Sequence, residues 1–142
     1  MLELERRSAG RRESAAVWAG SVKQDVWQAD LVRFHHHLCD DSGSALSIEL
    51  TEEAKFALYE ELAALGLRLV ALIHTHPRDW VGLSQIDEAN QICSRLGFWS
   101  LVAPWYGRGP WAAALMGVHV RCDHGWYRLK PWEVSGRVHI EE

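Results

Sequence analysis

Apolar residues recur in short alternating runs at 14–20, 26–36 and 45–50, separated by charged or turn-forming stretches such as Asp40-Asp41-Ser42-Gly43. A period of two marks half-buried strands, so three strands are predicted there. From Thr51 the period lengthens. Thr51 is suited to cap a helix over 52–65, with Glu52 and Glu53 in its positive first turn, Leu58, Leu62 and Leu65 along one face, and Gly66 as the stop. The run 67–73 is almost wholly apolar and reads as a buried strand. A second helix is predicted over 84–92, opening on Ser84, and strands follow near 98–103, 111–120 and 125–129. Strands interleaved with helices in this order predict an α/β fold: a single layered domain over 1–142, with a mixed β-sheet flanked by helices.

Composition narrows what such a domain does. A chain of 142 residues, 48% of them hydrophobic, supports one core and leaves no room for a separate cofactor-binding domain. The formal charge of −4 and the lack of a sustained basic stripe argue against nucleic acid as a partner, with Arg6-Arg7 and Arg11-Arg12 read as a solvated edge. No apolar stretch reaches the roughly eighteen residues of a membrane span, and the first seven residues contain no apolar signal core, so no membrane partner and a cytoplasmic location are expected. Cys39, Cys93 and Cys122 form an odd set without Cys-x-x-Cys spacing, which points to reduced thiols, and Cys93 is expected in the core on the second helix. Most of the eight tryptophans are expected to fill the core.

Candidate chemistry concentrates in one place. His74-Thr75-His76-Pro77 leaves the end of the predicted strand 67–73, and Ser84 and Asp87 follow at the start of the next helix. Residues two apart on a strand share a face, so His74 and His76 project together with Thr75 turned away. Two imidazoles and one carboxylate are the ligand types of an open zinc site whose fourth position is left for water. The rival reading is ordinary: two strand-end histidines, and a Ser84 and Asp87 that cap a helix. Capping explains Ser84 without explaining the histidines, and the two roles are compatible, because a capping serine holds its hydroxyl in a fixed place. Asp79 follows Pro77 too closely to swing back towards the histidines and is read as solvated or paired with Arg78.

The pattern His74-Thr75-His76-Pro77 through Ser84 to Asp87 resembles, residue for residue in spacing, the motif of the JAB/MPN (JAMM) zinc metalloproteases, in particular the small bacterial deubiquitinase-type members. The similarity extends to the segment 97–104, which resembles the Pro-ended strand after the motif helix. It also reaches 13–20, which resembles the first strand with its catalytic glutamate, so about residues 10–107 are covered. The resemblance implies a layered fold shared in outline with deaminases, one Zn²⁺ per chain on His74, His76 and Asp87, and Glu13 as general base. It implies cleavage after the C-terminus of a ubiquitin-like protein, as precursor processing or deconjugation, with that protein or its conjugate as partner. A bacterial operon with activating- and conjugating-enzyme-like proteins, in antiviral defence, is the setting it suggests.

The chemistry gives each residue a task. A zinc ion lowers the pKa of its water from 15.7 to about 7, and amide hydrolysis also needs a carboxylate to carry a proton to the leaving amine. Glu13 fills that role by resemblance. Its bland alternative is a solvated glutamate in the run Arg11-Arg12-Glu13, and Glu49 and Glu3 are the reserves. Ser84 is placed to donate to the developing oxyanion. Trp80 and Trp105 are candidate walls of a groove for an extended tail added to a sheet edge. The chain has no room for the insertions by which larger members grip ubiquitin, which bears on affinity and on dependence upon a partner.

Competing motifs are absent. There is no His-Glu-x-x-His helix and no Pro-Cys-x-x-Cys pair of a zinc deaminase. His35-His36-His37 alternate faces on a strand with no obvious third ligand and read as a strand end. Two functional alternatives stay open: a non-catalytic MPN-type scaffold, and a zinc hydrolase of a small amide held in a closed pocket.

Overall fold

The computed structural model describes residues 2–23, 26–33, 51–109 and 112–137. The predicted strand 45–50 with Glu49, and also His35-His36-His37, Cys39 and Trp111, lie outside the described residues. The chain runs through α1 (Leu2–Ser8), β1 (Ala15–Lys23), β2 (Val26–Arg33), α2 (Glu52–Ala64), β3 (Arg68–Thr75), α3 (Gln85–Ala89), β4 (Trp99–Ala103), β5 (Gly117–Cys122), β6 (Gly125–Arg128) and α4 (Pro131–Arg137). The six strands form one sheet in the order β2-β1-β3-β4-β5-β6. Only β3 and β4 pair in parallel; the other neighbours are antiparallel. A parallel pair requires a crossover, and here the crossover carries α3 past the carboxyl end of β3. The α/β layered expectation is met: a mixed sheet with helices on it.

Each face of the sheet has its own apolar core. On one, Leu4 of α1 and Val134 of α4 pack on Ala71, Ile73, Leu101 and Val118; on the other, Ala54, Leu58 and Leu62 of α2 pack on Val17, Leu69 and Phe98. A register shift opposite Trp18 and Ala19, which pair with Ala71 and Leu69, lets β3 change the face of its odd residues at that point. From there to its end, β3 sends Ala71, Ile73 and Thr75 to the α1 side and Leu72 and His74 to the α2 side. No described helix is long and apolar enough to cross a membrane.

Several elements differ from their sequence expectation. Helix α2 begins on its Thr51 cap as predicted, but its buried stripe is Ala54, Leu58 and Leu62, because the helix ends at Ala64 and the C-cap Leu65 turns outward, half exposed. Helix α3 stops at Ala89, where Asn90 leaves helical geometry (ψ 35°), so Cys93 lies beyond it and is half-buried rather than in the core. The Tyr59 hydroxyl donates to Ile92 O (2.8 Å) and holds that extended stretch against α2. The strand expected over 111–120 begins only at Gly117, after a short 3₁₀ turn, Ala113–Leu115. Trp80, Trp105 and Trp132 are exposed, while Trp18, Trp99 and Trp126 are half-buried. None of these six fills the core, since an indole is too large to be enclosed by a sheet with short helices. Helices α1 and α4 have no clear apolar period and escape the sequence reading. Arg6 and Arg7 occupy the last turn of α1, where cations suit the helix dipole.

Two backbone features fix the rim above the carboxyl end of β3. Trp105, Tyr106 and Gly107 form a turn in which all three have positive φ (51°, 55° and 83°). For the two aromatic residues this costs on the order of 1–3 kcal/mol each. Gly117 supports the chain that crosses the end of the sheet: a Cβ there would lie 1.8 Å from Val81 O. Gly117→Ala must therefore push away the 77–84 segment, and an unfolding midpoint in urea should show a loss of about 2 kcal/mol or more.

Candidate metal centre

The carboxyl end of β3 delivers His74 and His76 to one face, both buried (4% and 5% exposed). The His76 N–H continues the parallel ladder by donating to Ala103 O (2.8 Å), so this histidine is held like a strand residue although the strand has ended. Opposite them, Ser84 caps α3 through a reciprocal box. Asp87 N–H donates to Ser84 Oγ (3.1 Å), and Ser84 N–H donates to Asp87 Oδ2 (2.7 Å). The box fixes the Asp87 carboxylate so that it faces the histidines. His74 Nε2 lies 3.2 Å from His76 Nε2 and 3.4 Å from Asp87 Oδ1, and His76 Nε2 lies 3.4 Å from Asp87 Oδ2. One ligand atom from each of His74, His76 and Asp87 falls within 4.8 Å of the other two, and the three could hold a metal ion.

The tautomers agree with that use. His76 Nδ1–H donates to Trp80 O (3.0 Å), which leaves the Nε2 lone pair directed inwards, and the Trp80 indole stacks on the imidazole at 5.2 Å and 12°. His74 likewise turns Nε2 inwards, and its Nδ1 is buried without a partner. Two inward-facing ring nitrogens and a carboxylate make a buried corner that favours a positive charge. Burial alone would raise the Asp87 carboxyl and lower His76, yet hydrogen bonds between Asp87 and the two histidines outweigh it. They hold Asp87 well below the usual carboxylate range and His76 above the usual imidazole value.

Glu13 reaches the same corner from β1. Ala15 pairs with His74, and Ser14 exchanges bonds with Thr75: Ser14 N–H to Thr75 Oγ1 (2.9 Å) and Thr75 N–H to Ser14 O (3.0 Å). One step further out, Glu13 lies near enough to His76 and Asp87 for their charges to act on its carboxyl. It is 6% exposed, and burial raises its carboxyl to about 7, with the charge of His76 opposing and that of Asp87 adding. The alternative of a solvated Glu13 is overturned by its burial. Of the reserves, Glu3 lies on α1. Ser84 accepts within the cap, which leaves its own hydroxyl proton available. Trp80 (53% exposed) and Trp105 (41% exposed) stand at the rim, tied by Trp105 N–H to Arg78 O (3.1 Å), while Asp79 is exposed and outside the triad. Among the described residues, Cys93 and Cys122 are free thiols outside the triad.

The sequence reading missed three contributors. Trp80 supports His76 through its carbonyl, which any residue type would offer, so no residue signal exists for it. Thr75, turned to the other face as expected, anchors the backbone beside Glu13. His119, from β5, is buried on the α2 side of the sheet, where its Nδ1–H donates to Ser100 O (3.3 Å). A lone histidine in an alternating run gives no hint of that.

No protein-family model matches the chain, and no curated protein matches it. Its fold has solved counterparts. The solution structure of protein DSY2949 from Desulfitobacterium hafniense is similar at a TM-score of 0.66 and 14% sequence identity, over 92% of this chain and 83% of that one. At such identity the likeness is one of fold.

His119 makes stability depend on pH. Burial, above all, lowers its pKa from 6.5 to about 4. Between those values the unfolded chain binds the proton that the folded chain refuses, so the contribution of His119 is fully present above pH 6.5 and is lost as pH drops towards 4. The loss is on the order of 2–3 kcal/mol. Glu13 and His76, whose pKa values are raised, contribute with the opposite sign in this range, so the prediction is a difference: in chelator-treated protein, urea midpoints measured between pH 4 and 7 should show wild type losing about 2–3 kcal/mol more than His119→Gln on acidification. An equal slope in both would contradict the assignment.

Proposed function

We propose that the chain is a zinc-dependent peptidase or isopeptidase of the JAB/MPN (JAMM) type that cuts after the C-terminus of a ubiquitin-like protein in the cytoplasm. The observation that carries this reading is the convergence of His74 Nε2 and His76 Nε2, 3.2 Å apart, on the Asp87 carboxylate, whose Oδ1 and Oδ2 lie 3.4 Å from the first and the second respectively, with buried Glu13 near enough for the charges of His76 and Asp87 to act on it. Donor chemistry agrees, since imidazole with carboxylate is a common zinc set.

Bound there, zinc supplies a water that ionises near neutral pH. Glu13, with a carboxyl raised towards neutrality, takes a proton from the attacking water and passes it to the leaving amine nitrogen. The Ser84 hydroxyl, whose proton the cap does not use, donates to the carbonyl oxygen as it gains charge. Trp80 and Trp105 flank the approach. Their exposure favours an extended chain over a small amide enclosed in a pocket, and the complete ligand and base set favours an enzyme over a silent scaffold.

Zinc analysis combined with cleavage of a ubiquitin-like fusion tests the roles separately. Wild type should carry one zinc per chain. Asp87→Asn should lose metal and activity together. Glu13→Gln should keep its zinc and lose about 10²–10⁴-fold in kcat. Ser84→Ala should lose tenfold or more in kcat, up to about 2.7 kcal/mol, besides about 1 kcal/mol of stability from the cap. Full activity in Glu13→Gln would remove Glu13 from the mechanism, and wild type without stoichiometric zinc would overturn the enzymatic reading.

A further inference from the structure

Among the described residues no hydrogen bond reaches the Glu13 carboxyl, although it is buried and close enough to His76 and Asp87 to feel their charges. Its place is therefore set by the backbone that carries it. Beyond Glu13 that backbone is fixed by one residue. Ser14 O accepts the Thr75 N–H (3.0 Å), as in a strand pair. The Ser14 N–H, which belongs to the Glu13–Ser14 peptide, donates to the Thr75 hydroxyl oxygen (2.9 Å) where a carbonyl would serve in a regular ladder. It has no second acceptor among the described residues. Both residues are enclosed, Ser14 at 1% and Thr75 at 0% exposure. The hydroxyl itself has little freedom. A Cβ added at Gly107 would lie 3.3 Å from Thr75 Cγ2, so the Thr75 methyl packs against the Trp105–Gly107 turn, and a β-branched side chain whose methyl is held has its hydroxyl held too.

We propose that Thr75 is a positioning residue for Glu13: its hydroxyl fixes the peptide joining Glu13 to Ser14 and so holds the Glu13 carboxyl at the metal centre. One residue thereby serves both faces of the sheet. Its neighbours His74 and His76 present the ligands on one face, while its own side chain, on the other, ties in the segment that brings the proton carrier. Removing the hydroxyl alone leaves a buried N–H without an acceptor, and the peptide turns to find another partner or water. That rotation swings the Cα–Cβ bond of Glu13, and a displacement of about 1 Å at a reacting group costs about 10²-fold in rate. The bond from Thr75 N–H to Ser14 O does not need the hydroxyl, so the strand register persists and only the end carrying Glu13 is freed. This role rests on the proposed metal centre, with Glu13 as its proton carrier.

The position of Glu13 is read without any cleavage by carbon-13 NMR of the full-length protein labelled at its glutamate carboxyls. Co²⁺ is the paramagnetic probe, the zinc form is the reference, and the Glu13 signal is the one missing from Glu13→Gln. Thr75→Val keeps the side-chain shape and should change the cobalt-induced displacement of that signal by about a third or more, as a movement of about 1 Å close to the metal would. The imidazole signals of His74 and His76 should hold, and cobalt affinity should stay within about threefold of wild type. Thr75→Ser keeps the hydroxyl and should restore the wild-type displacement, although it gives up the methyl contact and some stability. On the ubiquitin-like fusion, Thr75→Val should lose about tenfold or more in kcat with KM kept, and Thr75→Ser should stay within about threefold. An unchanged Glu13 displacement in folded Thr75→Val, with only stability lowered, overturns the proposal, as does a Thr75→Ser displaced as far as Thr75→Val. Ligand signals that move as much as that of Glu13 also overturn it, since Thr75 would then act on the metal. If Thr75→Val does not fold, Thr75→Cys, whose sulfur is a weak acceptor, is judged by the same criterion. Wild type that takes up neither cobalt nor zinc removes instead the metal reading beneath it.

Discussion

Two imidazole nitrogens 3.2 Å apart, each 3.4 Å from an oxygen of the same carboxylate, sit in a buried corner that favours a positive charge inside it. The opposed shifts of His76, upwards, and Asp87, downwards, express the same demand. A proton on an imidazole meets it in part. A divalent cation between three fixed donors meets it better, because every lone pair then has a partner and no ring must give up its inward orientation.

The elements around the corner act on this arrangement. Parallel pairing of β3 with β4 forces a crossover past the end of β3, and the crossover returns Asp87 to the histidines. Gly117 lets the connecting segment lie close to the sheet, and the Ser84 box aims the carboxylate. Antiparallel pairing with β1 brings Glu13, two residues before that strand, to the same corner and out of water. The strained turn over the rim carries the Trp105 indole and bonds the His76 carbonyl. On the proposed reading, ligands, proton carrier and substrate rim thus come from four separate stretches of chain, tied together by backbone bonds.

The centre itself was legible because its ligands are local: His74 and His76 obey strand periodicity, and Ser84 and Asp87 obey helix-start chemistry. Both rules act within a few residues. The strands β1, β3 and β4 and helix α2 followed their apolar periods for the same reason. What escaped was set by tertiary packing. Helix α1 is seven residues long with Leu4 and Ser8 as its buried contacts, too short to display a period. The exposure of Leu65 follows from where α2 happens to stop, and Gly117 begins β5 only after a turn whose residues are apolar enough to resemble a strand. The burial of Glu13 could not be read from Arg11-Arg12-Glu13, since it depends on the register with β3.

The central claim is that His74, His76 and Asp87 together hold zinc, and X-ray absorption at the zinc edge of the purified protein tests it most directly. The account expects a four-coordinate first shell of nitrogen and oxygen donors at about 2.0–2.1 Å with the outer-shell signature of two imidazoles. A sulfur donor at about 2.3 Å, which would place the metal on a cysteine, or a shell without imidazole, would contradict it.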